Sequence, residues 1–264
     1  MTEAKATDAP DPAKPRERLG LEVLAVLGVT YGADGVRSLL ADIHDQLVIQ
    51  RGLGLKNVAT GPIINASRPS YDWFDITQYL ADALLGLAPA FLALVLLMRS
   101  PAAAGFGIGL DRLRRREVLQ GLGFAALIGI PGLGLVYVAR QIGANAQIVV
   151  TNFPAVWYRV PILVIDAFQN GIAEEVLVCG YLLTRLGQLG WSAQRSVVAA
   201  AVVRGSYHLY QGWGAFGGNA VMGLIFGYWF QRTRRVVPLI VAHSVIDAVS
   251  FVGYVYLHKR YPWI

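Results

Sequence analysis

Long apolar stretches separated by short polar loops dominate the chain from about residue 20 onwards. A helix that crosses the hydrocarbon core of a membrane needs about 20 predominantly apolar residues. The pattern predicts helices at residues 20–48, 75–98, 117–139, 157–187, 193–212, 216–231 and 236–257. The first of these is amphipathic in its second half, so it can instead lie on the membrane surface. We therefore expect an all-α fold, a polytopic transmembrane helical bundle of about seven spans.

The composition agrees with a membrane protein. Of 264 residues, 55% are hydrophobic and only 15% are charged, which is too apolar for an ordinary soluble globule. The net charge of +6 comes from basic residues that cluster between the apolar stretches, so membrane topology explains them better than nucleic-acid binding does. With one cysteine, Cys179, neither an intramolecular disulfide nor a Cys-rich metal site can form.

Positive charge alternates between successive loops and predicts the orientation of the chain. Arginines crowd residues 112–116 and 232–235, whereas residues 143–156 carry none. Because cytoplasmic loops are enriched in Lys and Arg, we expect a multi-pass protein of the cell membrane with its N-terminus in the cytoplasm. Residues 1–18 are polar and lack a signal-peptide core, which predicts a disordered cytoplasmic tail before a membrane domain at 19–264.

The last four predicted spans carry polar and ionisable residues. Each ionised side chain at mid-membrane costs about 2.5–3.5 kcal/mol on insertion scales, so such residues are functional candidates by default. A rise of about 1.5 Å per residue puts them in one slab near the middle of the bilayer, and small residues in AVVRGS and GGNAVMG permit close helix packing. We expect these residues to line one water-accessible interior. The set is Glu174, Glu175, Arg204, His208, Asn219, His243 and Asp247.

A purely structural role is the alternative interpretation for each of these residues. A lone histidine in a membrane helix is often an interhelical hydrogen-bond partner, and the two glutamates can form a buried clamp with Arg204. Tyr207 and the aromatic residues near it are typical of the membrane interface or the core. The convergence of two acids, two histidines, an arginine and an aspartate at one depth exceeds what helix packing requires.

Glutamate and histidine at a shared buried site can act as a general-base pair, for which activation of water is the natural task. A divalent metal such as zinc is the alternative use of the same groups, because two histidines and one glutamate form an adequate open ligand set. The chain contains no HExxH helix, so the metal signal is weak.

Three short motifs resemble those of the CPBP family, the CAAX-prenyl-protease and bacteriocin-processing intramembrane proteases. That family carries EExxxR, then FxxxH, then HxxxN or HxxxD. Here the corresponding segments are Glu174-Glu175-Val-Leu-Val-Cys179, Arg204-Gly-Ser-Tyr-His208 and His243-Ser-Val-Ile-Asp247. The similarity covers roughly residues 157–257, which would form the catalytic core.

The resemblance implies a role for each motif residue. Glu174 and His208 would activate water with support from Glu175, and His243 with Asp247 would stabilise the oxyanion. Asn219 would be a supporting residue. Whether the chemistry uses a metal or glutamate alone stays open.

Two positions depart from the family pattern. Cys179 replaces the motif arginine and Arg204 replaces the motif phenylalanine. We hypothesise that the cation has moved, so that Arg204 pairs with Glu175. The same two substitutions are also consistent with a family member that has lost its catalytic activity.

The leading functional prediction is a CAAX-protease-like intramembrane peptidase. Its partners would be membrane lipid and a membrane-associated peptide or protein substrate, with no nucleic acid; the sequence does not indicate an oligomeric state. The alternative is a catalytically inactive membrane scaffold or an immunity-type regulator on the same fold. A proton-coupled carrier is disfavoured, because carriers usually show inverted repeats and the polar residues here lie only in the C-terminal half.

Overall fold

The computed structural model describes residues 13–50, 72–99, 107–111 and 113–261, with side chains from residue 15 to 47 in the first range. Within these ranges the secondary structure is helical, and the only β contact is an isolated bridge between Asn145 and Gly212. The predicted all-α class is therefore confirmed. Residues 1–12 of the predicted tail lie outside the described residues, and the first helix begins at Ala13.

Ten α-helices follow one another along the described ranges. A π-helical segment, Glu175–Leu182, joins the sixth helix to the seventh, and a 3₁₀ turn, Leu209–Gln211, follows the eighth. The α-helices are α1 (Ala13–Gly28), α2 (Tyr31–Gln50), α3 (Asp72–Gly86), α4 (Ala88–Met98), α5 (Arg115–Gln141), α6 (Arg159–Glu174), α7 (Leu183–Gln188), α8 (Ala193–Ser206), α9 (Trp213–Thr233) and α10 (Val237–Leu257).

Three elements are long and apolar enough to cross a membrane: the α3–α4 unit Asp72–Met98, α5 and α10. The pair α1 and α2, bent by 49°, meets the same test only when taken together, which makes up to four candidate spans in the described ranges. The count of about seven spans is not confirmed. One reason is length, because the 14 residues of α8 extend about 21 Å, less than the hydrocarbon core of about 30 Å.

Two predicted helices are interrupted. The helix predicted at 20–48 splits between Gly28 and Tyr31, where the Thr30 hydroxyl donates to the carbonyl of Val26 at 2.6 Å. The helix predicted at 193–212 ends at Ser206, and Gly212 then takes a φ of 112°, a conformation open mainly to glycine. Hydropathy averaged over the length of a helix does not report these turns, because apolar residues outnumber polar ones on both sides of each break.

The C-terminal helices pack closely around one interior. α8 lies along α9, and α10 lies between α5 and α6. A Cβ atom at Gly223 of α9 would lie 2.9 Å from Cα of Ala201 in α8, so only glycine allows this approach. The expected close packing of AVVRGS on GGNAVMG is confirmed, and it brings Arg204 on α8 towards the π-helical segment and α10.

Polar contacts fix the start of α10. The Arg235 guanidinium, just before this helix, pairs with the Glu117 carboxylate of α5, and its Nη1 donates to Oδ1 of Asp111 at 3.1 Å. The backbone N–H of Val236 donates to the carbonyl of Ile108 at 2.9 Å. These contacts hold the N-terminal end of α10 against α5 and thereby set the position of His243, two turns further along.

Candidate active site

Three side chains converge on one oxygen of Glu174, the last residue of α6. The Tyr207 hydroxyl donates to Glu174 Oε2 at 2.6 Å. Nε2 of His208 and Nε2 of His243 each lie 4.0 Å from the same oxygen. Residues from α6, from the turn after α8 and from α10 are thus brought together, as the shared-depth argument predicted.

A second carboxylate, Glu175, lies behind the first. Its Oε1 accepts a hydrogen bond from Nη2 of Arg204 at 2.5 Å and lies 2.8 Å from Nδ1 of His243. The side chains of Glu175 and Arg204 are both 0% exposed. The predicted pairing of Arg204 with Glu175 is confirmed, and the histidine connects this buried pair to Glu174.

One side of the site, which we call the accessible side, is partly exposed, and the other side is fully buried. The side chains of His208 and Asp247 are each 19% exposed and that of Glu174 is 11% exposed, in contrast to the fully buried Glu175. Asp247 lies one helical turn after His243, with its Oδ1 3.7 Å from Nε2 of that ring. A small molecule or an extended peptide would therefore reach Glu174 before it reached Glu175.

The π-helical segment begins at the glutamate pair. In such a segment the backbone hydrogen bonds span one residue more than in an α-helix, and π-bulges occur frequently at functional sites. All eight residues of the segment are buried. Glu174 ends the α-helix and Glu175 opens the π-helical segment, so two successive carboxylates make different contacts.

Residues 155–249 match the family model of the Rce1-like proteins, described as type II CAAX prenyl endopeptidase Rce1-like. The resemblance to the CAAX proteases is confirmed. The Rce1-like segment runs from just before α6 into α10 and includes every residue that the motifs singled out. No curated protein and no solved structure matches the chain.

Polar atoms in the Rce1-like segment lack partners among the described residues. Neither ring nitrogen of His208 has a hydrogen-bond partner there, and the same holds for Oε2 of Glu175 and for Nε and Nη1 of Arg204. Buried polar atoms are usually satisfied, so unsatisfied ones require an explanation. Both ring nitrogens of His208 are buried although the side chain is 19% exposed, so water or substrate would reach them only if the ring moved.

The structure adds one residue to the site and leaves another outside it. Tyr207 was interpreted as an interfacial or core aromatic residue, but its hydroxyl binds Glu174. No sequence motif marked it; its one signal was its place directly before His208. The amide of Asn219 donates to the carbonyl of Ala215 at 3.0 Å, and its described contacts do not reach the carboxylates. A supporting role for Asn219 therefore stays a prediction.

Another correction concerns α8. Arg204 and His208 were expected one turn apart on one helix, but α8 ends at Ser206, and His208 lies in the turn that follows. Both side chains nevertheless reach the glutamate pair, Arg204 from the helix and His208 from the turn.

The described geometry does not fit a metal centre. A catalytic zinc ion needs three protein ligands at about 2.0–2.2 Å from one point. Among the described residues, no group of three or more His, Cys, Asp or Glu side chains is arranged to hold an ion. In addition, Tyr207 and Arg204 already bind the carboxylates that would serve as ligands.

Proposed function

We propose that the chain is an intramembrane peptidase that hydrolyses a membrane-associated peptide with water activated at Glu174. The observation that carries the proposal is the position of Glu174 Oε2, which lies 4.0 Å from Nε2 of both His208 and His243. The Rce1-like match over residues 155–249 supports the same class of activity. An inactive scaffold would not need two histidines gathered around one carboxylate oxygen.

Glu174 and His208 are the groups that would activate water. Glu174 Oε2 and His208 Nε2 lie 4.0 Å apart, a separation that one water molecule can bridge once a movement of the His208 ring opens its buried nitrogen to water. Glu174 takes a proton from this water, and the oxygen attacks the scissile carbonyl carbon. When the C–N bond breaks, the same proton passes to the leaving amine, which restores the carboxylate.

His243 is the group that would stabilise the oxyanion. Its Nδ1 is held by Glu175 at 2.8 Å, which directs Nε2 towards Glu174 and Asp247. An imidazole with both nitrogens protonated donates through Nε2 to the developing oxyanion. Asp247, which cannot donate when ionised, orients this ring, and Arg204 balances the charge of Glu175.

We also propose seven membrane crossings with the N-terminus in the cytoplasm, a count that requires the short α8 to cross together with the turn that follows it. The bent pair α1–α2 accounts for one crossing, and the continuous helical run 159–188, made of α6, the π-helical segment and α7, is long enough for another. The arginines before α5 and after α9 lie in loops of the same sidedness under this topology.

The proposal is tested with the full-length protein reconstituted in liposomes. Internally quenched peptides are anchored to the membrane through a prenylated cysteine in one series and an apolar segment in another. Glu174→Gln should reduce cleavage by about 10²- to 10⁴-fold, the usual contribution of a general base. Asp82→Asn is the matched control, because Asp82 is an exposed carboxylate on α3 outside the Rce1-like segment.

Each outcome has a defined meaning. Equal cleavage by wild type and Glu174→Gln would refute the role of this carboxylate. If the wild type cleaved neither series, the inactive scaffold would be the better assignment. A chelator should leave the rate unchanged; loss of activity that added zinc restores would instead assign the site to a metal.

A further inference from the structure

We propose that Tyr207 is a positioning residue for Glu174 and that α2, outside the Rce1-like segment, holds Tyr207 in place and so completes the active site. This inference rests on the proposed function. It assigns a role to the N-terminal part of the chain, in which no motif was found.

The first step is the contact between Tyr207 and Glu174. The tyrosine side chain is buried, and its hydroxyl donates to Oε2 at 2.6 Å. The same oxygen lies 4.0 Å from Nε2 of each of the two histidines. A hydrogen bond to a charged acceptor is short and strong, and this one restrains rotation of the carboxylate about its last torsion. Tyr207 thereby sets where Glu174 lies relative to both histidines.

The second step is the contact between Tyr207 and α2. The ring of Tyr31 stacks on the ring of Tyr207, with centroids 4.5 Å apart and an interplanar angle of 26°. The hydroxyl of Ser38, also buried, donates to the backbone carbonyl of Tyr207 at 2.9 Å. α2 therefore holds both the ring and the main chain of this tyrosine.

These contacts require α2 to lie close to the end of α8. Gly35 lies between Tyr31 and Ser38 on one face of α2, since residues four and seven positions apart align along a helix. A Cβ atom at Gly35 would lie 2.6 Å from Oγ of Ser206, the last residue of α8. Glycine thus lets α2 lie directly against the turn that carries Tyr207 and His208.

The test compares two tyrosines that each donate to a glutamate. Tyr207→Phe removes the hydroxyl and keeps the stacked ring; Tyr181→Phe is the matched control, because Tyr181 donates to Oε1 of Glu22 at 2.9 Å, away from the site. In the liposome assay, Tyr207→Phe should lower kcat by about 10- to 100-fold at unchanged KM, as expected when a catalytic group loses its alignment. Tyr181→Phe should keep the wild-type kcat.

A second variant tests the contribution of α2. Ser38→Ala removes the hydrogen bond to the Tyr207 carbonyl and should lower kcat in the same direction, whereas Ser38→Thr keeps a hydroxyl and should restore it. Wild-type kcat in both Tyr207→Phe and Ser38→Ala would overturn the proposal. A fall in kcat for Tyr181→Phe equal to that for Tyr207→Phe would also overturn it, because the effect would then be general destabilisation.

A measurement without turnover separates this proposal from the peptidase assignment. The free energy of unfolding is measured in mixed micelles for Tyr207→Phe, Glu174→Gln and the double variant. Non-additive effects are expected, because residues in direct contact couple. Additive effects would overturn the Tyr207–Glu174 contact even if no substrate were cleaved, whereas non-additivity in an inactive wild type would support the contact and refute the peptidase.

Discussion

Arg204 is the residue whose removal should reduce stability and catalysis together. Its guanidinium and the Glu175 carboxylate are both 0% exposed, and Nη2 lies 2.5 Å from Oε1. The guanidinium also lies over the ring of Phe226, 5.6 Å from its centroid. Arg204→Ala would therefore leave a buried, negatively charged carboxylate without its counter-ion.

The expected cost is large. Removing one partner of a buried ion pair typically destabilises a protein by about 3–5 kcal/mol, because the remaining charge is left without compensation. A folded domain is stable by only about 5–15 kcal/mol, so this loss is a substantial fraction of the total. Catalysis should fall as well, because Glu175 also holds Nδ1 of His243.

A second substitution should rescue the first. Cys179 is buried one turn after Glu175 in the π-helical segment. Cys179→Arg combined with Arg204→Ala places the guanidinium where the family motif has it and nearly conserves the total side-chain volume, which cores tolerate best. The single change Cys179→Arg should instead be destabilising, because it overpacks this point and adds a second cation beside Arg204.

Both properties are measured on the four proteins of this cycle. Unfolding in mixed micelles gives stability, and cleavage in liposomes gives kcat/KM. The double variant should be more stable and more active than either single variant. If Arg204→Ala kept wild-type stability and activity, or if the double variant were no better than Arg204→Ala, the idea that the cation moved from position 179 to position 204 would be wrong.

Two further predictions follow from the accessible side and from the topology. His208→Phe keeps a ring against Tyr207 and removes nitrogens that have no described partner. Cleavage should fall at least about 100-fold, while the free energy of unfolding should change by less than about 1 kcal/mol. A parallel loss of stability would show that His208 has a structural role. Because the native Cys179 is buried, a single introduced cysteine reports on which side of the membrane its position lies. An impermeant maleimide should label Gln141→Cys in intact cells and Gln194→Cys only after permeabilisation. Labelling of both positions from outside would mean that the run from α6 to α7 does not cross the membrane.

The periodic, strongly apolar parts of the fold were predictable. The helices expected at 117–139 and 236–257 are observed as Arg115–Gln141 and Val237–Leu257. The convergence of the glutamates with both histidines was predictable too, because unpaired charges in lipid are so costly that they must meet.

Features set by backbone conformation were not predictable. The break between α1 and α2 and the end of α8 at Ser206 fall in stretches where apolar residues outnumber polar ones, and the π-helical segment follows the glutamate pair with no sequence signal of its own. Tyr207 was missed for a related reason. An aromatic residue near a predicted membrane boundary is typical of an interfacial belt, and only the turn after α8 directs its hydroxyl at Glu174.

The contrast between the two sides of the site argues against a purely structural role. Helix packing explains the pairing of Arg204 with Glu175, two fully buried side chains of opposite charge, although Oε2 of the carboxylate and Nε and Nη1 of the guanidinium keep no described partner. It does not explain His208, whose ring nitrogens are unsatisfied among the described residues although Glu174 lies 4.0 Å away. A side chain selected for packing alone would gain by closing that distance or by being apolar. A partly exposed histidine 4.0 Å from a carboxylate is instead what hydrolysis would use, because a movement of the ring would let one water bridge the two groups.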